Sequence, residues 1–295
     1  MRSITFTSHG TNCAAWHFSG IGAAPERPCV VMAHGFGGTR DTGLLGYAGD
    51  FVAAGFDVLV FDYRGFGDSE GTPRQHVSYR RQREDYHAAI AAARRLPGVD
   101  PDRIVLWGTS YSGGHAVVVA AQDRRIAAIV AITPAMDGLA TLAHVVHRSG
   151  FRGLARAAGH GLRDLSRALT GRSPHHVPIV GPPGSAAMMS SPGAVEAVLP
   201  VAGPTWRNEV CARAALEVGL NRPITFAGQL RCPILVQVGT DDSVAPPAAA
   251  RRAAAKAGRR AQIREYPVDH FDIYQGPWQR RAAADQLDFL AGVLH

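Results

Sequence analysis

The segment best equipped for covalent chemistry is Val105-Leu106-Trp107-Gly108-Thr109-Ser110-Tyr111-Ser112-Gly113-Gly114-His115. An apolar run passes directly into a Gly-x-Ser turn and then into a helix-forming stretch. A turn of this kind strains the serine backbone and lifts its Oγ above the sheet. It needs small neighbours, because strand and helix crowd one another there. Gly108 meets the first small position, whereas the position two past the serine is Ser112 instead of glycine. Ser112 itself has Gly114 two places on, which admits a second register with Ser112 as nucleophile. Ser110 is preferred because it stands immediately beyond the strand end, and Ser112 is small enough for the crowded position.

A serine hydroxyl is a weak nucleophile without a base, and the base needs a partner that fixes its tautomer. Both follow in chain order. The apolar run Leu235-Val236-Gln237-Val238 leads into Gly239-Thr240-Asp241-Asp242-Ser243-Val244-Ala245-Pro246, which offers two carboxylates. The strand pattern at residues 262–266 leads into Pro267-Val268-Asp269-His270-Phe271-Asp272. Among thirteen histidines, His270 stands out because it follows the last strand, on the edge where ligand sites of parallel sheets collect. Asp269 and Asp272 adjoin it, and one of them is read as a cap for the final helix.

The elements that must position these residues alternate along the chain. Two short runs around Ser8-His9-Gly10-Thr11-Asn12 read as an opening β-hairpin. Cys29-Val30-Val31-Met32-Ala33 is apolar throughout, as in a strand buried on both faces of a parallel sheet. A helix is expected over residues 43–54 with Gly55 at its C-terminus, then a strand at Val58-Leu59-Val60-Phe61. The pattern continues with a helix at 84–96, a strand at 104–107, a helix at 112–121 and a strand at 126–132. It resumes with the strand at 234–238, a helix near 248–257, the strand at 262–266 and a last helix near 278–294. Such repetition predicts an α/β fold, with a mostly parallel central sheet and helices on both faces. Residues 134–230 interrupt it. A structureless loop of that length is abnormal inside a compact domain, so an inserted helical cap is expected there, with the core formed by residues 1–133 and 231–295.

Composition narrows the function. At 46% hydrophobic and 19% charged, the chain can bury enough surface to offset its ordering entropy. Cys13, Cys29, Cys211 and Cys232 contain no CxxC pair, which argues against zinc knuckles and thioredoxin-type sites. His175-His176 is a lone pair, too little for a metal site. The N-terminus has no sustained apolar region and reads as no secretory signal. No apolar run approaches the roughly 18 residues of a membrane span. A cytoplasmic protein is expected. Net charge is +7, but the arginines fall in scattered pairs such as Arg80-Arg81 and Arg259-Arg260. Solvated helix faces explain these better than a nucleic-acid groove.

With these residues in place, the sequence resembles the α/β-hydrolase superfamily over essentially its whole length. The family's oxyanion-loop motif is matched by His34-Gly35-Phe36-Gly37-Gly38, and its next turn by Asp62-Tyr63-Arg64-Gly65-Phe66-Gly67-Asp68-Ser69. The nucleophile turn is Gly108-Thr109-Ser110, and the acid motif Gly-x-x-Asp-x-x-x-Pro fits Gly239 to Pro246 and selects Asp242 over Asp241. The Ser-Tyr-Ser-Gly-Gly-His turn, Asp-Ser-Val-Ala-Pro and His-Phe-Asp-Ile-Tyr together look like a group that includes esterase-like hydrolases and polyketide acyltransferases.

The resemblance implies that Ser110 attacks an acyl carbonyl, that His270 carries the proton and that Asp242 orients His270. The backbone N–H groups of Phe36 and Tyr111 would bind the oxyanion, each contributing roughly 3–4 kcal/mol as such donors do. His34 would brace that loop, and Asp62 and Arg64 would hold their own turn. The expected reaction is cofactor-free cleavage of a small-molecule ester or thioester. Acyl transfer uses the same triad, and peptidase activity or a non-catalytic receptor on the same fold are the other readings. Within the cap, Met136 and Trp206 are expected to contact substrate, with Leu139, Leu142, Met188 and Met189 as further apolar wall.

Overall fold

The computed structural model describes residues 1–22 and 26–294. Strands β1 (Arg2–Ser8) and β2 (Thr11–Phe18) pair antiparallel. Their connection is His9-Gly10, both at positive φ (46° and 76°), the twist that a two-residue hairpin loop requires. The chain continues through β3 (Arg27–Ala33), α1 (Leu45–Ala53), β4 (Asp57–Phe61), α2 (Tyr79–Ala93), β5 (Val99–Thr109), α3 (Tyr111–Gln122) and β6 (Ile126–Ile132). Next come α4 (Gly138–Leu169), β7 (His176–Val177), α5 (Ala194–Val198), β8 (Val210–Cys211) and α6 (Ala214–Glu217). The last elements are β9 (Ile234–Gly239), α7 (Pro247–Ala257), β10 (Ala261–Tyr266) and α8 (Gly276–Val293).

Eight strands form one sheet in the order β1-β2-β4-β3-β5-β6-β9-β10. Only the β1–β2 and β2–β4 pairings are antiparallel; the pairings from β4 to β10 are parallel. The period-2 alternation of each strand sorts its apolar side chains onto two cores. Val31, Leu59, Leu106 and Ile129 pack with residues of α2, α3 and α7. Val30, Val58, Trp107 and Val130 pack with residues of α1 and α8. Trp107 is fully buried and donates its indole N–H to Gln286 on α8 at 3.1 Å. The mostly parallel sheet with helices on both faces is thus the observed architecture.

The starts of two elements differ most from the sequence expectation. Helix α2 starts at Tyr79, a turn before residue 84, because Tyr79 and Gln82 are already buried on the stripe that continues through Tyr86 and Ile90. The intervening arginines hide this stripe in the sequence. Strand β5 starts at Val99, since its leading residues pair across an irregularity with Arg27. Among the described residues no helix is long and apolar enough to cross a membrane.

Between β6 and β9 lies the helical segment. Helix α4 is broken by Gly150, at φ 65° and ψ 177°, a conformation that favours glycine. One carboxylate fastens its second half to the following chain. Asp164, fully buried, accepts hydrogen bonds from the His175 N–H (2.8 Å), the Arg213 N–H (3.0 Å) and the Arg213 guanidinium (2.7 and 3.1 Å). Asp41, in the loop after β3, accepts from the Thr205 N–H and hydroxyl at 3.0 and 2.8 Å, and so ties the segment to the sheet.

Burial alone would raise the Asp164 pKa, but the bonds from Arg213 and the two backbone N–H groups outweigh it and hold the carboxyl below its ordinary range. A depressed folded-state pKa gives stability that is present above the unfolded value of about 3.9 and lost as pH falls through the folded one. Asp164→Asn should therefore lower stability by about 3 kcal/mol at pH 7, since Arg213 is left without its charge partner. Thermal unfolding should show the gap to wild type narrowing at strongly acid pH; an equal gap at both pH values would contradict this role.

Candidate active site

Ser110 occupies the hinge between β5 and α3 with φ 52° and ψ −117°, a conformation that costs a non-glycine residue of order 1–3 kcal/mol. Its neighbours hold it there. The Ser110 N–H donates to the Ile132 carbonyl (2.8 Å), and its own carbonyl accepts from the N–H groups of Gly113 (3.1 Å) and Ala135 (2.9 Å). A Cβ on Gly108 would lie 2.2 Å from the Ser112 carbonyl oxygen, so strand and helix cross with no room for a side chain. Ser112 is fully buried. Its Oγ donates to the His34 carbonyl and lies 2.7 Å from the Tyr63 hydroxyl, so it is committed to structure. Of the two registers, only the Ser110 hydroxyl meets a base.

The imidazole it meets is that of His270, fully buried in the loop after β10. Its Nε2 lies 3.0 Å from Ser110 Oγ and its Nδ1 lies 2.8 Å from Asp242 Oδ2. The other oxygen of Asp242 accepts the N–H groups of Val244 and Ala245 at 2.8 and 2.7 Å, which fixes the carboxylate plane in the loop after β9. Asp241 is exposed. Neither Asp269 nor Asp272 caps the final helix, contrary to expectation: α8 begins at Gly276 with no side-chain cap, because a short 3-10 turn at Asp272–Tyr274 comes between. Asp269 instead accepts from the Ser243 N–H (2.7 Å), the Ser243 hydroxyl (3.0 Å) and the His270 N–H (2.7 Å). It splices the acid-bearing loop to the histidine-bearing loop. Adjacency to His270 in sequence gave no sign of this role, and only the Ser243 hydroxyl offered a cue.

The loop after β3 approaches from the other side. A Cβ on Gly35 would lie 3.0 Å from Ser110 Cβ, and Gly37 sits at φ 66° against Ile179. Phe36 and Tyr111 meet edge to face at 5.6 Å between ring centroids. Tyr111 opens α3, so its N–H is among those a helix leaves unpaired. His34 is buried with Nδ1 3.0 Å from the Gly35 carbonyl and its ring edge-on to Tyr63 at 4.9 Å. Burial lowers its pKa to about 4, so it is neutral at pH 7 and serves as a brace. Asp62 does hold its turn, accepting from the Asp68 N–H at 3.1 Å, but it also binds the Arg40 N–H (2.6 Å) and guanidinium. Arg64 departs from expectation: its guanidinium pairs with Glu84 (2.6 Å) and Asp85 (2.5 Å) on α2. The turn's carbonyls at Gly67 and Ser69 are instead met by the Arg74 guanidinium.

Two cavities meet at Ser110. The larger, about 660 Å³, extends from Ser110, Phe36 and Tyr111 along α4 to the chain at residues 183–192. The smaller, about 50 Å³, lies beside His270, Phe271, Ile179 and Trp206. Leu142, Met188 and Met189 line the larger cavity, and Trp206 lines the smaller. Met136, expected at the substrate, is a correction. It is 1% exposed, packs in the main core and lines neither cavity. Its carbonyl accepts from the Ile224 N–H at 2.8 Å, so the chain is still tied inward at this point. Leu139 is half exposed and also lies outside both cavities. His144, which sequence reasoning passed over, lines the larger cavity with Nε2 2.9 Å from the Ser243 carbonyl. Among the described residues no group of three or more His, Cys, Asp or Glu converges on one point. His175 stacks on His160, with ring nitrogens 2.9 Å apart.

Asp269→Ala should cost about 2 kcal/mol in urea unfolding, because a half-buried splice of charge-assisted hydrogen bonds is lost. A change under about 0.5 kcal/mol, the usual range for a surface substitution, would show that the two loops hold their places without it.

Known proteins similar to this chain share its family and fold. The chain is 38% identical over 295 residues to the quorum-quenching protein AidA of Acinetobacter baumannii (strain MDR-ZJ06), covering 99% of this chain and 94% of that protein. Over 110 residues it is 42% identical to the thiohydrolase aneE of Aspergillus aculeatus, covering 37% of this chain and 35% of that one. The crystal structure of the α/β hydrolase GrgF from Penicillium sp. sh18 superposes with a TM-score of 0.82 at 22% identity, over 99% of this chain and 98% of that one. The family model described as serine aminopeptidase, S33, matches residues 24–268. The chain therefore belongs to the S33 family of α/β hydrolases.

Proposed function

We propose that the chain cleaves carboxylic ester or thioester bonds of small molecules through an acyl-enzyme on Ser110. The observation that carries this reading is the hydrogen-bonded chain from Asp242 through His270 to Ser110, at 2.8 and 3.0 Å. Ser110 Oγ attacks the acyl carbon as His270 Nε2 takes its proton. The carbonyl π electrons move onto oxygen, where the N–H groups of Phe36 and Tyr111 meet the developing charge. Collapse expels the leaving group, which receives the proton from His270. Water then repeats the sequence on the acyl-enzyme and releases the acid and Ser110. Asp242 holds the Nδ1–H tautomer and stabilises the imidazolium.

Acyl transfer to an alcohol or amine is the second reading. It is favoured by a cavity of about 660 Å³, roomy enough for an organic acceptor to reach the acyl-enzyme in place of water. In either case residues 134–230 act as a cap over Ser110 that selects substrate, supported by the placement of α4 and residues 183–192 along the larger cavity. Only a small group fits beside Trp206, so the bulk of the substrate lies along α4.

A fluorophosphonate probe should label Ser110, as peptide mapping would show. Ser110→Ala should abolish labelling and lower turnover of a short p-nitrophenyl ester by about 10⁶-fold. Labelling at Ser112, or turnover that survives in Ser110→Ala, would overturn the mechanism. Trp206→Ala should enlarge the smaller cavity and shift the preference among esters toward those with a bulkier group on the His270 side. An unchanged ranking would remove Trp206 from substrate selection.

A further inference from the structure

The larger cavity has an uneven charge that the proposed reaction does not use. Its lining contains Arg148, Arg156, His144 and His147 and no aspartate or glutamate. Several arginines elsewhere, among them Arg40, Arg64, Arg94, Arg213 and Arg222, meet a carboxylate. Among the described residues Arg148 and Arg156 have no such partner. Both are exposed, and the Arg156 guanidinium donates one N–H to the Gly184 carbonyl.

The charge is also at a defined place. Gly138, Thr141, Leu142, Val145 and Arg148 all line the cavity, at the spacing of one face of α4. The helix starts three residues after Ala135, whose N–H is bonded to the Ser110 carbonyl. At about 1.5 Å per residue, Arg148 lies about 15 Å further along α4 than Gly138. Between the two ends the wall is mainly apolar, with Leu142, Val145, Met188 and Met189.

We infer that the substrate carries an anionic group, a phosphate or a carboxylate, at the end of an apolar arm that runs along α4 away from Ser110, where Arg148 and Arg156 bind it. Guanidinium groups suit both anions, because their planar N–H fork matches two oxygens at once. The inference rests on the proposed hydrolase reading of the same site. The anion has two sources, the leaving group of a coenzyme A-type thioester or the far end of a dicarboxylic acyl chain.

Two pairs of substrates distinguish them: octanoyl-coenzyme A against octanoyl-N-acetylcysteamine, and the mono-p-nitrophenyl ester of dodecanedioic acid against its methyl ester. At least one anionic member should show kcat/KM about ten-fold above its neutral partner, expressed in KM. The pair that shows it identifies the source. The ratio should fall toward one in R148Q/R156Q and persist in R148K/R156K. Equal kcat/KM within both pairs, or a preference that survives in R148Q/R156Q, would overturn the inference. Calorimetric binding to Ser110→Ala, with coenzyme A against N-acetylcysteamine and dodecanedioate against dodecanediol, separates this from the reaction itself. If Ser110 resists labelling and no ester is cleaved, the hydrolase reading fails. The anion site then stands or falls on whether each charged probe binds tighter than its neutral counterpart.

Discussion

The backbone of Ser110, at φ 52° and ψ −117°, is the constraint on which the rest of the site depends. A serine does not rest there unaided, and the parallel sheet supplies the force. β5 and β6 are paired in register through Thr109 and Ile132, so the Ile132 carbonyl is already in place for the Ser110 N–H. Gly108 lets the Ser112 backbone pass within contact distance. The strain is thus offset by cores on both faces of the sheet, in keeping with the way strained functional residues persist where surrounding structure over-determines them.

A second consequence concerns the loops that face Ser110. Asp242 and His270 lie beyond different strands, and parallel β9 and β10 bring their C-terminal ends side by side. Strand pairing alone leaves both loops free at their tips. Asp269, gripping Ser243 and the His270 N–H, removes that freedom, and the Ser243 carbonyl in turn meets His144 on α4. The segment that lines the cavity is therefore joined through one serine to the loops that hold Asp242 and His270. Positioning of this kind is where small displacements become large losses in rate.

Much of this was legible in the residues. Continuous apolar runs at β3, β4, β5 and β6 mark strands buried on both faces, and Gly108-Thr109-Ser110 marks the turn. The order of serine, acid and histidine follows from where their loops leave the sheet. Asp242 needed more than composition, since Asp241 has the same chemistry; burial and two backbone N–H bonds separate them. Other roles left no periodic trace. Arg40 sits in Gly-Thr-Arg-Asp-Thr, where nothing signals its buried pairing with Asp62. Met136 shows the limit of reading an inserted segment by apolarity: a buried methionine and a cavity-lining one look alike until packing decides. The cavity's lack of carboxylates was equally hidden, because it depends on which faces of α4 and residues 183–192 come together.

In the proposed reaction an acyl group passes through Ser110. The most direct measurement is rapid quenching of the protein during turnover of a p-nitrophenyl ester, followed by intact-mass and peptide analysis. The protein should be heavier by one acyl group, with that group on the peptide bearing Ser110 and on that residue. Turnover that proceeds with the acyl group on another residue would contradict it.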